Sequence, residues 1–251
     1  MPTALVTGAT AGIGLAYAHA LANRGFDLVV VARNESRLQD IAKECISKFG
    51  INVEVLDADL SDRAAVDRVA KRAAQDDIEL VVNNAGFGLN EAFTSSTVED
   101  EQAMLDVLVT AVMRITHATL PGMLERNRGG VINVSSVASW LSSGTYSAAK
   151  SWVTTFSESL ATQHKDSKVH VIAVCPGFTR TEFHERANME TETIPRWMWL
   201  DVNHVVEKSL RDFAKRRPVS VAGTQYKVLA LVAQYLPRPF VRVISNVERK
   251  R

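Results

Sequence analysis

The chain has 251 residues, 46% hydrophobic and 23% charged, with 29 Lys and Arg against 28 Asp and Glu for a formal net charge of +1. This balance suits a chain that buries a sizeable core. It excludes long disordered tracts and the clustered basic excess that a nucleic-acid groove needs.

Cys45 and Cys175 are too few for a disulfide scaffold or a metal cluster, so no metal is expected and a reducing cytoplasm is the natural compartment. Met1 to Asn23 carries no Asp, Glu, Lys or Arg, but Gly8, Gly12 and Gly14 interrupt it where a secretory signal needs a continuous apolar run. No apolar run elsewhere reaches the roughly 20 residues of a membrane span, so the expectation is a soluble protein.

In chain order, β-like apolar runs alternate with helical patterns. ALVTG (4–8) precedes a helix over about 13–24, LVVVAR (28–33) one over 35–49, and VEVLDAD (53–59) one over 62–75. IELVVNNAG (78–86) ends in a glycine turn before a long helix over about 98–125, and VINVSS (131–136) precedes a helix over 146–164. VHVIAVCPG (169–177) follows, then a helix near 202–215 and PVSVAG (218–223). Apolar strands separated by helices predict a single doubly wound α/β domain, with about seven parallel strands and helices on both faces.

Ligands of such sheets bind outside the carboxyl ends of the strands. Gly8, Arg33, Asp59, Asn84, Ser136 and Pro176 all fall there. TGATAGIG (7–14) joins the first strand to the first helix. Its glycines let backbone N–H groups approach a pyrophosphate at a helix N-terminus, or it is a glycine-rich turn without a ligand. An acidic residue at the end of the second strand suits the ribose of NAD, whereas Arg33 suits a 2′-phosphate. NADP(H) is therefore preferred over NAD(H), with Arg24 and Arg37 as candidate helpers.

YSAAK places Tyr146 and Lys150 at i and i+4 on one helical face. A nearby ammonium favours the phenolate and draws a tyrosine toward the pH range of acid–base work. Alternatively the pair is an exposed Tyr and a solvated Lys. Ser135-Ser136 ends a strand upstream, where a hydroxyl can meet a carbonyl or simply close a turn.

These residues carry a resemblance. TGATAGIG, Asp59-Leu60, NNAG (83–86), VINVSS, YSAAK and PGFTRT (176–181), in this order, resemble the classical short-chain dehydrogenases/reductases over about residues 3–223. The resemblance implies a Rossmann-type catalytic domain (1–223) and NADP(H)-linked hydride transfer between a nicotinamide and a small-molecule ketone or secondary alcohol. Tyr146 would be the proton donor or acceptor. Lys150 would hold the nicotinamide ribose and lower the phenol pKa, and Ser136 would orient the carbonyl, with Ser135 the alternative. Thr7, Gly8, Gly12, Ile13 and Gly14 would form the phosphate loop, and Arg33, Asp59 and Leu60 the adenosine end. Asn84, Ala85, Gly86, Pro176, Gly177 and Thr181 would line the cleft. A homodimer or homotetramer through the helices over 98–125 and 146–164 is also implied.

Two positions depart from the family pattern. Leu108 stands in DVLVT (106–110) where an Asn usually helps to hold a water linking the lysine to solvent, and the Ser136–Tyr146 gap is short. Within the expected substrate lid, Trp197-Met198-Trp199-Leu200 either wall an apolar pocket or anchor the lid. Trp140 is a second candidate wall, and His184 is expected on the surface.

The C-terminal extension, 224–251, has Tyr226, Leu229, Val232, Ala233 and Leu236 at helical spacing, then five Lys/Arg and one Glu from 238 onward. It caps the core, packs on a partner subunit or contacts a membrane surface, and an apolar or lipid-like 3-oxoacyl substrate goes with the last. The competing reading, motivated by Leu108, is a non-catalytic NADP(H)-binding regulatory protein.

Overall fold

The computed structural model describes residues 1–89, 91–183, 192–237 and 239–241. Strands β1 (Thr3–Thr7), β2 (Asp27–Ala32), β3 (Val53–Asp57), β4 (Ile78–Asn83), β5 (Gly130–Val134), β6 (His170–Val174) and β7 (Val219–Ser220) form one parallel sheet in the order β3-β2-β1-β4-β5-β6-β7. β1, β5 and β6 are buried at every position, which is why they read as unbroken apolar runs. The order reverses between β1 and β4, and a crevice opens at such a switch point.

Around the sheet lie α1 (Gly12–Ala22), α2 (Glu35–Phe49), α3 (Arg63–Ala73), α4 (Val98–Leu105), α5 (Ala111–Glu125), α6 (Gly144–Gln163), α7 (Val202–Ala214) and α8 (Thr224–Tyr235). One core cluster packs β1, β2, β4 and β5 against α1 and α2, and another packs the opposite face against α3 and α5. Helices α2, α3, α4 and α7 start on side-chain caps from Asn34, Asp62, Thr97 and Asp201. Helix α1 starts at Ala11 with no side-chain cap, so its first N–H groups face the crevice without an internal acceptor.

The structure corrects one expectation and bears out the long helix over about 98–125. The last strand shrinks to two residues at the sheet edge, where short strands limit edge pairing. The stretch from Val98 to Glu125 is one continuous helical run, long and apolar enough by length and composition to cross a bilayer. Half of its apolar window is buried, and α5 packs on α3 and the sheet, as a core helix does. Residues Asp106–Thr110 within it form a π-helical turn joining α4 to α5.

A buried polar ladder that sequence reading missed ties these layers together. Asn83 Nδ2 donates to Asn133 Oδ1 at 2.9 Å and Thr116 Oγ1 at 3.1 Å, and Asn133 Nδ2 donates to Ser157 Oγ at 2.9 Å. β4, β5, α5 and α6 are thereby held in register immediately below the crevice.

Candidate active site

The glycine loop is shaped by its neighbours. Gly8 adopts φ +65°, a conformation that L side chains rarely hold. A Cβ at Gly14 would stand 2.2 Å from the Gly8 carbonyl oxygen, so α1 approaches the loop as closely as backbone allows. Thr7 Oγ1 accepts from Asn84 N at 2.9 Å and Ala85 N at 3.0 Å, and Asn84 Nδ2 donates to Thr7 O at 2.9 Å. Thr7 and Asn84 thus stitch the ends of β1 and β4 together at the switch point. Thr181 lies across the loop, its Cβ 3.0 Å from the place of a Cβ on Gly12. A cradle bounded by backbone, with an uncapped helix N-terminus behind it, fits the pyrophosphate of a dinucleotide.

At the adenosine end, Arg33 is exposed at the tip of β2. Asp59 accepts from Ser61 N at 2.9 Å and Ser61 Oγ at 2.7 Å. Burial alone would raise its carboxyl, but these bonds and the charge of Arg33 hold it below the usual carboxylate range. Leu60 is 6% exposed in the core cluster on one face of the sheet and Ile13 packs half-buried against the cluster on the other, so their side chains support the site from behind.

Arg24 is not at this end. It pairs with Glu207 on α7 at 2.7 Å, because α1 carries it to the amino ends of the strands, away from the crevice. Arg37 is on the cleft side but bonded to Glu182 at 3.0 Å.

Ser136, Tyr146 and Lys150 come together at the ends of β5 and the start of α6. The Ser136 hydroxyl lies near enough to the Tyr146 phenol to offset part of its upward shift, and it accepts from Ala138 N at 3.1 Å, opening the 3₁₀ turn Val137–Trp140 that fills the short gap. Ser135, by contrast, turns away, donating to Lys150 O at 2.8 Å and meeting Thr154 Oγ1 at 2.7 Å. Of the two serines, only Ser136 faces the phenol.

Lys150, 5% exposed, donates from Nζ to Val134 O at 2.8 Å and lies 5.7 Å from the Tyr146 ring centroid. Burial pushes Tyr146 up to about 12 despite Ser136 beside it, and burial pushes Lys150 down to about 8. Leu108 is 1% exposed on the π-helical turn, in a cluster with Met104, Ala149 and Tyr146. Its Cδ2 stands 2.7 Å from where a Cβ on Gly86 would be.

On the substrate side, Phe183 tilts over Tyr146 with ring centroids 6.0 Å apart. Pro176 is buried and its carbonyl accepts from Val137 N at 3.0 Å. The pair of lid tryptophans divides. Trp199 packs on Phe178 at 5.8 Å and Leu200 is buried, whereas Trp197 is 66% exposed. Trp140 is half-buried. His184, the rest of 184–191 and the basic tail from 242 lie outside the described residues.

Sequence reading also missed the work of Tyr226. From α8 its ring fills the space over Gly177, where a Cβ would stand 2.1 Å from it. Its hydroxyl accepts from Phe178 N at 3.0 Å and donates to Met198 O at 2.7 Å. The C-terminal helix thereby fixes the loop that carries Pro176 to Thr181. The residue stood in the helical pattern, but nothing in its spacing points to Gly177.

A model of the short chain dehydrogenase family matches residues 2–192. The chain belongs to that family. It is an oxidoreductase by this membership, acting on a carbonyl or CH–OH group. Over 186 residues it is 39% identical to an NADP-dependent 3-hydroxy acid dehydrogenase of Salmonella typhi, covering 71% of this chain and 73% of that one. Over 187 residues it is 34% identical to a very-long-chain 3-oxoacyl-CoA reductase of Anas platyrhynchos, covering 71% of this chain and 60% of the relative.

A match over 246 residues reaches 93% of this chain and 72% of the human inactive hydroxysteroid dehydrogenase-like protein 1, at 28% identity. Among solved structures, a short-chain dehydrogenase from Sphingobium yanoikuyae in complex with NADPH superposes with a TM-score of 0.86 and 32% identity, covering 94% of both chains.

Proposed function

We propose that this oxidoreductase is an NADPH-dependent carbonyl reductase acting on ketones with an apolar body, 3-oxoacyl chains among them. The observation that carries this reading is the cluster of Ser136, Tyr146 and Lys150 on the floor of the crevice, with Ser136 beside the phenol and the phenol pushed up to about 12 by burial. A phenol so placed keeps its proton at neutral pH and is an acid in waiting. The relatives named for NADP and for 3-oxoacyl-CoA add support.

NADPH, when bound, supplies the hydride for the carbonyl carbon. The loop from Thr7 to Gly14 would hold its pyrophosphate, Arg33 a 2′-phosphate and Asp59 the adenine. Asn84, Ala85, Gly86 and the Pro176–Thr181 loop would flank its nicotinamide half. Ser136 donates a hydrogen bond to the substrate oxygen and so fixes the carbonyl beside Tyr146. As negative charge grows on that oxygen, the Tyr146 hydroxyl gives up its proton to it, and the Lys150 ammonium steadies the phenolate left behind.

The test is NADPH oxidation against carbonyls graded from small ketones to long 3-oxoacyl thioesters, with Tyr146→Phe alongside. Turnover should fall by about 10²-fold or more in the variant while NADPH still quenches tryptophan fluorescence. Equal turnover in the variant would overturn the assignment. Leu108 and the relative named as inactive favour a second reading, an NADP(H)-binding protein without turnover, which predicts quenching but no oxidation across the whole series.

A further inference from the structure

We propose that the ion pair between Arg37 and Glu182 is an exchangeable clasp that holds Phe183 across Tyr146 in the chain by itself. On the NADP(H) reading above, on which this rests, the 2′-phosphate of NADPH takes Arg37 from Glu182 and opens the clasp. Three successive side chains of the loop after β6 reach three parts of the crevice. Thr181 lies over the phosphate loop, its Cβ 3.0 Å from the place of a Cβ on Gly12. Glu182 Oε1 accepts from Arg37 Nη2 at 3.0 Å. Phe183 tilts over the Tyr146 ring with centroids 6.0 Å apart. A Cβ on Gly88 would stand 3.4 Å from Phe183 Cζ and 3.8 Å from Tyr146 Cδ2, so the two rings meet over that glycine.

This strap is anchored at its root. Leu200 N donates to Phe178 O at 2.8 Å and Arg180 N to Leu200 O at 3.1 Å. From Thr181 the backbone turns on that residue's own hydroxyl, which accepts from Phe183 N at 3.3 Å. One tight turn therefore sets Glu182 and Phe183 together, and a change in the partner of Glu182 is felt at Phe183. Across the crevice, Arg37 stands in the first turn of α2, its N–H donating to the Asn34 cap at 3.0 Å. Arg33 stands at the tip of β2, just before that cap. Both guanidiniums belong to the adenosine end, and each lies near a carboxylate, Arg33 near Asp59 and Arg37 at Glu182.

The pair suits exchange better than it suits holding the fold. Its side chains are 44% and 42% exposed, and an ion pair so open to water is weak. A phosphate dianion carries more charge than a carboxylate and accepts two charge-assisted hydrogen bonds from one guanidinium. A ligand shifts a conformational equilibrium only by its different affinity for the two states. Here that difference lies at Arg37, which meets a phosphate fully only once it has left Glu182. NADH has no 2′-phosphate and leaves the clasp shut. Phe183 lies on the substrate side of the phenol, so the exchange at Arg37 also loosens the cover on Tyr146. Glu182 thereby discriminates between the two dinucleotides although it lies 145 positions from Arg37 in the chain.

NADPH and NADH are titrated by tryptophan fluorescence quenching into the full chain, Glu182→Gln, Arg37→Gln and the double variant. Both positions are more than two-fifths exposed, so the substitutions leave the core untouched. Glu182→Gln should bind NADPH about two- to fivefold more tightly, the worth of an exposed ion pair, and NADH as before. Beside Arg37→Gln the same substitution should gain nothing, whereas simple loss of a negative charge would still tighten NADPH there. Amide exchange of the peptide over 178–183 reads the strap itself, with adenosine 2′,5′-bisphosphate or 5′-AMP as probe, both of which lack the nicotinamide half. Exchange should quicken with the bisphosphate and not with 5′-AMP, and should already be quick in Glu182→Gln. The clasp is overturned by unchanged NADPH affinity, by an equal gain for both dinucleotides, by a gain that persists beside Arg37→Gln, or by exchange that the bisphosphate leaves as it was. Absence of any NADPH quenching would instead overturn the cofactor reading and the clasp with it. No turnover is measured, so failure of the clasp is distinct from failure of the reductase reading.

Discussion

Removing one oxygen atom, in Tyr226→Phe, tests whether the C-terminal helix holds the loop that follows β6. The ring is retained, so the packing on Gly177 stays and no cavity opens. What is lost is the acceptor for Phe178 N at 3.0 Å and the donor to Met198 O at 2.7 Å. A typical hydrogen bond contributes about 0.5–1.5 kcal/mol net, so two give about 1–3 kcal/mol. For a chain of this size each kcal/mol moves the melting temperature by about 2–4 °C, so a central loss of about 2 kcal/mol lowers it by about 4–8 °C. The same loop brings Thr181 over Gly12, so NADPH affinity, read by fluorescence quenching, should weaken as well. An unchanged melting temperature with unchanged affinity would refute the clamp.

Other outcomes follow from the same geometry. Gly14→Ala puts a Cβ 2.2 Å from the Gly8 carbonyl oxygen and 2.4 Å from Asn84 Nδ2, and should weaken NADPH binding by about tenfold or more in an equilibrium titration. Arg33→Ala should cut NADPH affinity about tenfold and leave NADH affinity unchanged; an equal loss for both would remove Arg33 from cofactor selection.

The pH profile has a definite sign. With Tyr146 pushed up to about 12, the phenolate that alcohol oxidation needs grows as pH rises, so oxidation should climb between about pH 7 and about pH 10. Reduction should stay level until Lys150, pushed down to about 8, loses its charge, and then fall. A falling oxidation limb would contradict the assignment of Tyr146 as the base.

The sheet and the crevice were legible because their signals are local. Strands buried on both faces read as apolar runs, and glycines mark where backbone must approach backbone. The meeting of Ser136 with Tyr146 and Lys150 was legible because two of the three lie one helical turn apart and the third ends a strand. What escaped depends on distant packing. Nothing local in Trp197 and Trp199 says that one stacks on Phe178 and the other faces water. Arg24 looked like a nucleotide ligand by composition, yet α1 carries it away to Glu207. Burial, which the sequence does not display, is the larger influence on both Tyr146 and Lys150 in the chain by itself.

Leu108 connects these strands of argument. It occupies the position where the family resemblance leads one to expect an Asn, on a π-helical turn, and it fills the space between Gly86 and Ala149. An amide there would offer a polar partner near Lys150; a leucine offers none and excludes water from its side of the crevice. The dry wall that removes a side-chain relay is thus part of the burial that drives Lys150 down and Tyr146 up. On the proposed reading the two effects act in the same sense. A phenol that holds its proton is ready to protonate a carbonyl oxygen, whereas alcohol oxidation must first remove that proton into an apolar surround. On the proposed reading, a protein that retains Ser136, Tyr146 and Lys150 around Leu108 holds its phenol protonated at neutral pH, the state from which carbonyl reduction starts.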